Sequence, residues 1–503
     1  MKKILLFGAG KSATVLIEYF LNNAINENWF LTLVDADYEL AKHKIGHSTS
    51  GKAISFDINN ELERSDIIKK ADIVISLLPP ALHLLIAKDC ITYKKNLLTA
   101  SYVDDNMKAL EKDIEENNLL FLCEMGLDPG IDHMSAMKLL NEIKESGGEI
   151  TSFHSHCGGL VAPESDDNPW HYKISWNPKN VVNAGKAGAI FMKDSEVCEM
   201  AYEELFNEKR FIDIRDHELL CWYPNRDSLS YIDIYNLHNC STFIRTTLRH
   251  ADFIYGWKNI IELKLTNEEK NIETEGFSLK EFFKDYFEKN GFDDWLQQKL
   301  NEKLSYGKKI MEELVKIVEM EKNIVEEGKE PIEEFMVVAE NGELKDVNLD
   351  NLKTNIAASL AFKMHEANLT LKQLMFLGMD DDKTIIQKGK FSPADILQFA
   401  LEKKLALQAT DKDMVVMIHE IEFEKEQKTY KATSSLVVKG IDNEHTAMAK
   451  TVGLPLAIAT KLILNNTIQL KGLHIPVIKE IYDPVLQELE ENDIIFKEEI
   501  NQL

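Results

Sequence analysis

The chain has 503 residues, of which 28% are charged and 44% hydrophobic, a length that suits about three domains of roughly 150 residues each. This composition is typical of folded globular proteins, and it excludes collagen-like, disordered and coiled-coil chains. With 84 acidic and 58 basic residues the formal net charge is −26, so we expect neither nucleic acid nor a membrane surface as a partner.

Short apolar runs alternate with amphipathic segments through the first third of the chain. Strands are predicted at 4–7, 30–34, 53–56, 73–77, 96–100 and 119–123, with helical patterns at 13–21 and 105–116 between several of them. Apolar strands that alternate with helices indicate an α/β fold with a parallel sheet covered by helices on both faces.

The first predicted strand leads into a G-x-G-x-x-A turn at residues 8–13. Gly8 permits the tight bend, Gly10 lets the backbone approach a pyrophosphate, and Ala13 replaces the third glycine of a Rossmann-type dinucleotide site. The second strand ends at Asp35. An acid there binds both ribose hydroxyls and repels a 2′-phosphate, so we predict NAD, with NADP less favoured. The alternative for Asp35 is a helix cap or turn residue.

A turn rich in glycine, proline and aspartate, residues 124–133, follows the sixth strand and precedes an apolar helix at 134–143. This position is the mouth of the nucleotide crevice. Because Pro129 holds Asp128 extended, we interpret Asp128 as functional and Asp132 as a helix cap. A second turn-rich stretch at 157–176 is of the kind that carries functional residues on a rigid sheet.

Arginine is rare in this chain, and five of its six arginines lie between residues 210 and 249, against 52 lysines in all. A guanidinium group binds a carboxylate through two parallel hydrogen bonds, which lysine cannot do. We interpret Arg226 and Arg249, which lie in strand-and-turn sequence, as ligands of a small substrate with several carboxylates. Arg210 and Arg215 are interpreted as surface charges on a helix.

Long charged segments with helical apolar spacing, such as 295–318 and 356–374, occupy residues 279–407 and are interrupted by Gly328 and Pro331. They predict a helical insertion with solvated charged faces. Strand patterns return at 414–423 and 429–438 and predict a hairpin pair, and a helix of small residues begins at Ala447.

Neither a disulfide framework, a metal site nor a membrane span is predicted. The six cysteines include no C-x-x-C pair, and His43 and His47 have the H-x-x-x-H spacing with Lys44 in the place of a glutamate. The longest uncharged run, 73–87, has 15 residues, whereas a spanning helix needs about 20. Lys11 ends the N-terminal apolar stretch before a signal peptide could form. We therefore expect a cytoplasmic protein.

Seven strings in the chain are long and specific. They are GAGKSA at 8–13, TASY at 99–102, EMGLDPGIDH at 124–133, CGGLVAPESDDNPWHYKISW at 157–176, CWYPNRDS at 221–228, IRTTLR at 244–249 and HTAMAKTVGLP at 445–455. Together they resemble the saccharopine dehydrogenase (L-glutamate-forming) family, and the inserted region resembles it only loosely.

The resemblance implies three domains and a set of site residues. The domains are an NAD-binding Rossmann domain at 1–130 with about 444–503, a mixed α/β substrate-binding and dimerisation domain at 131–277 with about 408–443, and an all-helical insertion at 278–407, in a chain expected to form a homodimer. Cofactor contacts would fall on Gly8, Gly10, Lys11, Ser12, Ala13, Asp35, Asp57, Ile58, Leu77, Thr99, Ala100 and Ser175. Substrate contacts would fall on Ser101, Tyr102, Asp128, Arg226, Thr247, Leu248 and Arg249.

The implied reaction is oxidation of L-saccharopine to L-glutamate and 2-aminoadipate 6-semialdehyde. Fungal biosynthetic members resemble NADP enzymes with an arginine after the second strand, whereas Ala36 and Asp37 follow Asp35 here. We therefore predict NAD and a lysine-degrading direction. The candidates for the group that removes the amine proton are Asp128, Asp132, His133, Tyr102 and Lys173.

Two other functions compete with this one. A reductive-amination enzyme acting on a polyamine precursor such as carboxynorspermidine would need acids where this chain clusters arginines. A non-catalytic NAD-binding relative would bind the cofactor without turnover, which the intact TASY, LDPG and PNRD strings argue against.

Overall fold

The computed structural model describes residues 1–214, 219–326, 334–338 and 344–503. These residues form two compact units. The first contains Met1–Asp167, His171–Ala251 and Leu405–Leu503, and the second contains Asn168–Trp170 and Asp252–Lys404. Arg215, Gly328 and Pro331, which the sequence analysis considered, lie outside the described residues.

The described elements follow the chain in a largely alternating order. The strands are β1 (Lys2–Phe7), β2 (Trp29–Val34), β3 (Gly51–Ile54), β4 (Ile73–Ser76), β5 (Asn96–Thr99), β6 (Leu120–Leu122), β7 (Glu149–Val161), β8 (Ala189–Lys193), β9 (Glu196–Met200), β10 (Arg210–Ile212), β11 (Leu220–Pro224), β12 (Arg226–Asp227), β13 (Thr242–Arg249), β14 (Ile272–Thr274), β15 (Glu334–Val338), β16 (Leu344–Asn348), β17 (Gly389–Phe391), β18 (Asp413–Lys425), β19 (Lys428–Lys439), β20 (Gly472–His474) and β21 (Lys497–Gln502). The helices are α1 (Thr14–Asn23), α2 (Tyr38–Ile45), α3 (Glu61–Lys69), α4 (Pro80–Thr92), α5 (Asp105–Lys108), α6 (Glu111–Glu116), α7 (Ile131–Glu145), α8 (Pro178–Val182), α9 (Ser230–Tyr235), α10 (Ala251–Glu262), α11 (Leu279–Asn290), α12 (Trp295–Glu326), α13 (Leu349–Leu374), α14 (Pro393–Lys404), α15 (Ala447–Leu464) and α16 (Lys479–Glu491).

The first unit contains a parallel sheet with the strand order β20-β6-β5-β4-β1-β2-β3. All neighbouring strands run parallel, and the strands β1, β4, β5 and β6 are mostly buried because helices cover both faces. The six strands predicted from the N-terminal third are confirmed. The carboxyl ends of β1, β4 and β5 therefore meet at one edge, where ligands bind in such sheets.

A second, mixed sheet in the same unit has the order β10-β11-β13-β7-β18-β19-β21, with β8, β9 and β12 beside this path. The predicted hairpin is confirmed as β18 and β19, and β13 runs parallel to β7. The interpretation of Arg210 as a helix residue is wrong. Arg210 begins strand β10, and its guanidinium carbon lies 5.5 Å from the Trp222 ring centroid, so cross-strand packing decides its conformation.

One face of the mixed sheet joins the main core of the unit. Phe153 of β7 and Met417 of β18 belong to the same buried cluster as residues of α7 and α15. By length and composition α15 could cross a membrane, but 78% of its apolar window is buried inside the protein. Its apolar side chains are therefore used in packing.

The second unit is predominantly helical, as the charged segments predicted. Its core includes Trp170, Phe253 and Trp257, whose rings lie within 6.4 Å of one another. It also contains two short antiparallel strand pairs, β14 with β17 and β15 with β16, which the sequence patterns did not predict. Apart from Asn168–Trp170 the unit covers Asp252–Lys404, and the three-domain division with its boundaries stays a prediction.

Candidate active site

The glycine-rich turn after β1 lies at the carboxyl edge of the parallel sheet. Gly8 has φ +102°, and a Cβ there would lie 2.9 Å from the Leu77 carbonyl oxygen. In the part of the chain that the structure describes, no heavy atom lies within 4 Å of a Cβ built on Gly10. Gly8 is thus needed for the close approach of β1 and β4, whereas Gly10 faces open space before α1 begins. This open turn at a helix N-terminus fits a pyrophosphate.

The carboxylate of Asp35 is bound within the fold. Its Oδ2 accepts the Ala9 N–H at 2.7 Å and its Oδ1 accepts the Asp37 N–H at 2.9 Å. The Asp35 side chain thereby connects the glycine turn with the segment after β2 through hydrogen bonds. Because both oxygens serve the backbone, the position of Asp35 is explained without a ribose ligand.

We expect Asp35→Asn to lower the free energy of unfolding by about 1–2 kcal/mol, because an amide supplies one acceptor where the carboxylate supplies two. Urea denaturation measures the change. Asp57→Asn is the matched control, since Asp57 also follows a strand of this sheet but is exposed and its carboxylate accepts hydrogen bonds from its near neighbour Asn59. Equal effects of the two substitutions would contradict the structural role of Asp35.

The other predicted cofactor contacts lie along the same edge. Leu77 and Thr99 stand at the ends of β4 and β5, and Ala100 follows Thr99 beside the 124–133 turn. Lys11 Nζ donates to the Ile174 carbonyl at 3.2 Å, so the 172–176 segment lies against the glycine turn. The structure therefore brings Ser175 close to the glycine turn, although the Ser175 hydroxyl is hydrogen-bonded to Asp413. Ser12 and Ala13 lie in the short turn before α1, and Ile58 with Asp57 follows β3.

A buried histidine fixes the position of Ser101. His83 Nε2 lies 2.8 Å from Ser101 Oγ, and His83 Nδ1 lies 2.8 Å from Ser76 Oγ. Burial lowers the pKa of His83 to about 4, so the ring is neutral at pH 7. The sequence analysis did not select His83, because it stood in an apolar run with no partner visible in the sequence.

Arg245 is the centre of a buried ionic cluster beside Tyr102. Its Nη2 lies 2.8 Å from Asp128 Oδ1 and 2.8 Å from Asp132 Oδ2. The Tyr102 hydroxyl donates to the same Asp128 oxygen at 3.0 Å, and the Tyr231 ring centroid lies 4.4 Å from the guanidinium carbon. Tyr102, Asp128 and Asp132, which the sequence selected as candidates, are therefore brought together by an arginine that it counted but did not select.

The two carboxyl groups on Arg245 differ in their proton affinity. Burial and the neighbouring charge of Asp132 raise the pKa of Asp128, against the opposing effect of Arg245. Burial also acts to raise the pKa of Asp132, but His133 and Arg245 outweigh it and the net shift is downward. Side-chain exposure is 16% for Asp128 and 3% for Asp132. Asp128 is thus the carboxyl suited to exchange protons.

Asp132 and His133 are buried residues in the first turn of α7. The interpretation of Asp132 as a helix cap is wrong, because the cap of α7 is Gly130 and Asp132 lies in the first turn of the helix. Its Oδ1 accepts the Gly130 N–H at 2.6 Å and its Oδ2 pairs with Arg245. His133 lies between Glu124, 2.8 Å from Nε2, and Tyr235, 2.5 Å from Nδ1. Since His133 is fully buried, it serves packing rather than proton transfer with a substrate.

A cavity of about 720 Å³ opens beside the Arg245 cluster. Its lining carries charges of both signs and includes Tyr102, Lys186, Glu199, Glu203, Arg226 and Arg245. Arg226 is exposed, and its guanidinium carbon lies 5.6 Å from the Tyr102 ring centroid. The structure thus places Arg226 where the sequence analysis required it, at a polar cavity.

Arg249 and its neighbours on β13 occupy a different environment. Arg249 is buried, its Nη1 donates to the Leu248 carbonyl at 2.7 Å, and its guanidinium carbon lies 5.2 Å from the Tyr172 ring centroid. The Leu248 side chain packs in an apolar cluster on the opposite sheet face, so a side-chain contact with substrate is excluded by strand alternation. Thr247 shares the Arg249 face and is hydrogen-bonded to Tyr223.

Lys173 is engaged by two carboxylates. Its Nζ lies 2.7 Å from Asp411 and 3.0 Å from Asp167. Burial acts to lower its pKa, but hydrogen bonds to these carboxylates outweigh burial and the net shift is upward. The two ion pairs argue against Lys173 as the general base, because a base must be neutral at working pH.

Comparison with known proteins covers the whole chain. The family model of the saccharopine dehydrogenase NADP binding domain matches residues 4–122, and that of the saccharopine dehydrogenase C-terminal domain matches 126–346 and 342–495. Saccharopine dehydrogenase [NADP(+), L-glutamate-forming] of Saccharomyces cerevisiae is 30% identical over 99% of this chain and 99% of its own length. The apo structure of the S. cerevisiae L-Glu-forming saccharopine dehydrogenase superposes with a TM-score of 0.77 at 28% identity, covering 100% of both chains.

Other relatives are longer. The mitochondrial alpha-aminoadipic semialdehyde synthase of Bos taurus is 32% identical over 98% of this chain, but this chain covers 47% of the bovine protein. The alpha-aminoadipic semialdehyde synthase of Arabidopsis thaliana is 30% identical to this chain, and this chain covers 44% of that protein. The chain thus spans about half the length of these curated relatives and nearly all of the yeast one.

These comparisons overturn the cofactor prediction. The matching N-terminal family model is an NADP binding domain, and the related dehydrogenases of S. cerevisiae, Pyricularia oryzae and Schizosaccharomyces pombe carry NADP(+) in their names. The prediction of NAD is wrong because it rested on one residue type, and the Asp35 carboxylate has a structural role, the binding of two backbone N–H groups, that does not depend on the cofactor. On the matches to both halves of its sequence, the chain belongs to the saccharopine dehydrogenase family.

Proposed function

We propose that this chain catalyses the NADP-dependent oxidation of L-saccharopine to L-glutamate and 2-aminoadipate 6-semialdehyde. The observation that carries the proposal is the cavity of about 720 Å³ whose lining joins Arg226 to the Tyr102–Arg245 cluster. The fungal relatives, which this chain matches over almost their full length, are named for saccharopine, NADP(+) and L-glutamate. Family membership and the charged cavity together support the proposal.

The charges of the cavity suit a substrate that is itself charged at several points. Saccharopine has three carboxylates, a primary amine and a secondary amine. Lys186 and Arg226 in the cavity lining can bind carboxylates, and Glu199 and Glu203 can bind a protonated amine. Arg245 already neutralises two carboxylates of the protein, so we assign substrate binding to Arg226 rather than to Arg245.

The residues of the parallel sheet edge fit a dinucleotide. We assign the pyrophosphate to the open turn at Gly10 and the N-terminus of α1, with the sugar and nicotinamide along the carboxyl ends of β4 and β5. NADP, when bound, accepts the hydride that leaves the substrate. The protein contributes by holding the substrate carbon against this edge through the cavity residues.

The proton step is assigned to Asp128. The secondary amine must lose a proton before hydride leaves the adjacent methylene carbon, and water then splits the resulting imine into an aldehyde and an amine. A carboxylate with a raised pKa accepts this proton more readily than an ordinary aspartate. Burial and the Asp128 carboxylate raise the pKa of Tyr102 well above its usual value, so Tyr102 acts as a hydrogen-bond donor that orients Asp128.

We expect Arg226→Ala to raise the KM for saccharopine about tenfold to a hundredfold and to leave the Kd for NADP unchanged, since a charge-assisted hydrogen bond contributes about 1.5–3 kcal/mol. Steady-state kinetics and NADP titration measure the two effects. Arg210→Ala is the matched control, because Arg210 also lies over an aromatic ring, Trp222, but does not line the cavity. An unchanged KM in Arg226→Ala would contradict the assignment.

The competing functions predict different results with the same protein. An enzyme for a polyamine precursor would turn over carboxynorspermidine in preference to saccharopine, and a non-catalytic relative would bind NADP without turnover of either. The lysine-degrading direction and the homodimer stay predictions from the sequence. The lysine-degrading direction was inferred from the use of NAD, and that inference no longer holds because the NAD prediction is wrong.

A further inference from the structure

Two histidines and a glutamate come together on the mixed sheet, on the face opposite Arg245. His154 and His156 are separated by one residue on β7, so both side chains point to the same face. Glu420 on the neighbouring strand β18 is in register with His154. Among the described residues, one ligand atom of each of the three side chains lies within 4.8 Å of the other two.

His156 is held with one nitrogen directed at this cluster. The residue is 1% exposed, and its Nδ1 lies 2.7 Å from Thr246 Oγ1. Its Nε2 is buried, lies 3.4 Å from Glu420 Oε2, and makes no hydrogen bond within the described part of the chain. A metal-binding histidine is oriented in this way, with its second nitrogen hydrogen-bonded to a neighbouring group.

The distance between two of the three ligand atoms fits a small divalent cation. Zinc binds nitrogen and oxygen at about 2.0–2.2 Å in tetrahedral geometry, which separates two ligand atoms by about 3.4 Å. The distance between His156 Nε2 and Glu420 Oε2 has this value. The Glu420 side chain is 25% exposed, so an ion can reach the cluster from solvent.

We propose that His154, His156 and Glu420 bind a divalent transition-metal ion, with Zn²⁺ as the best match and water as the fourth ligand. The site joins β7 to β18. It also fixes Thr246, which lies on β13 between Arg245 and Thr247 and is hydrogen-bonded to His156. The proposal does not depend on the substrate assigned above.

Lys431 competes with the ion. Its ammonium pairs with Glu420 Oε1, and it leaves Oε2 directed at His156. A metal must therefore share Glu420 with this cation. Removing the ammonium while keeping an unbranched side chain of similar size, as in Lys431→Met, should strengthen metal binding.

The test is calorimetric titration of ZnCl₂ into the full chain, prepared without a polyhistidine tag and freed of metal with a chelator. We expect one equivalent of Zn²⁺ to bind, with His154→Gln and His156→Gln each weakening the affinity at least about tenfold and Lys431→Met strengthening it. His43→Gln is the control, because His43 is exposed and has H-x-x-x-H spacing with His47.

Circular dichroism of each variant distinguishes loss of ligand from loss of fold. His156 is buried, so its replacement can prevent folding. If His156→Gln fails to fold, the zinc affinity of His154→Gln decides the test, because His154 is more exposed. Absence of zinc binding to the folded wild-type chain would overturn the proposal. So would zinc binding that is unchanged in His154→Gln and lost in His43→Gln, which would place the ion at the exposed pair.

Discussion

Replacing Asp128 with asparagine is expected to lower kcat for saccharopine oxidation by two to four powers of ten, the usual contribution of a general base. The substitution keeps the size of the side chain and its contact with the Tyr102 hydroxyl, which donates to Asp128 Oδ1 at 3.0 Å. It removes the group that accepts the amine proton. KM for NADP should be unchanged, since the cofactor is assigned to the glycine turn.

The pH profile provides a second readout. Because burial raises the pKa of Asp128, the acidic limb of kcat/KM should lie above the pKa of about 3.9 of an ordinary aspartate, and Asp128→Asn should remove it. Tyr102→Phe removes a hydrogen bond that lowers the pKa of Asp128, so it should move the limb to higher pH. Asp72→Asn, at an exposed backbone-binding aspartate, is the control. A kcat near the wild-type value in Asp128→Asn would contradict the assignment.

Replacing Arg245 with methionine is expected to lower the free energy of unfolding by about 3–5 kcal/mol, because breaking a buried ion pair leaves uncompensated charge. Two carboxylates, Asp128 and Asp132, lose their shared cation in this variant. Urea denaturation measures the loss. In the double variant Arg245→Met, Asp132→Asn the loss should be smaller than the sum of the single effects, since fewer charges remain unpaired.

The same variant should show a characteristic dependence on pH. In the wild type, the pKa of Asp132 is lowered, so the stability it contributes is present above the unfolded-state pKa of about 3.9 and is lost as pH falls through the lower folded value. Without Arg245 the carboxyls are protonated more readily. The difference in stability between variant and wild type should therefore shrink from pH 7 towards pH 4, and a constant difference would contradict the electrostatic explanation.

The parallel sheet could be predicted because its signals are local. Runs such as Ile73–Ser76 are buried on both faces and so are continuously apolar. The location of Asp128 could also be predicted from a local signal. The turn that carries it follows the sixth strand, and such turns form the mouth of the nucleotide crevice. The short pairs β14 with β17 and β15 with β16 were missed, since their strands are short and lie beside long helical patterns.

The central role of Arg245 could not be read from its own segment. Its partners Asp128 and Asp132 are more than a hundred residues away in sequence, and only the folded sheet joins them. A signal was nevertheless present in the alternation of IRTTLR, which places Arg245, Thr247 and Arg249 on one face and Leu248 on the other. Applying strand periodicity there would have selected Arg245 and excluded the Leu248 side chain.

Asp35 shows how a sequence motif can mislead about specificity. An acid after the second strand can be there for the fold rather than for a ribose, since here its two oxygens accept the Ala9 and Asp37 N–H groups. Each carboxylate oxygen can accept more than one hydrogen bond, so the residue type alone does not decide the cofactor. The sequence shows the residue type, but the partners of its oxygens depend on how the glycine turn packs against β2.

The most direct test of the proposed function is to supply the purified chain with L-saccharopine and NADP and to follow reduced nicotinamide by its absorbance. L-Glutamate in the same mixture is quantified by amino-acid analysis. The account predicts that reduced cofactor and L-glutamate form in equal amounts. A folded protein that binds NADP but forms neither product from saccharopine would contradict it.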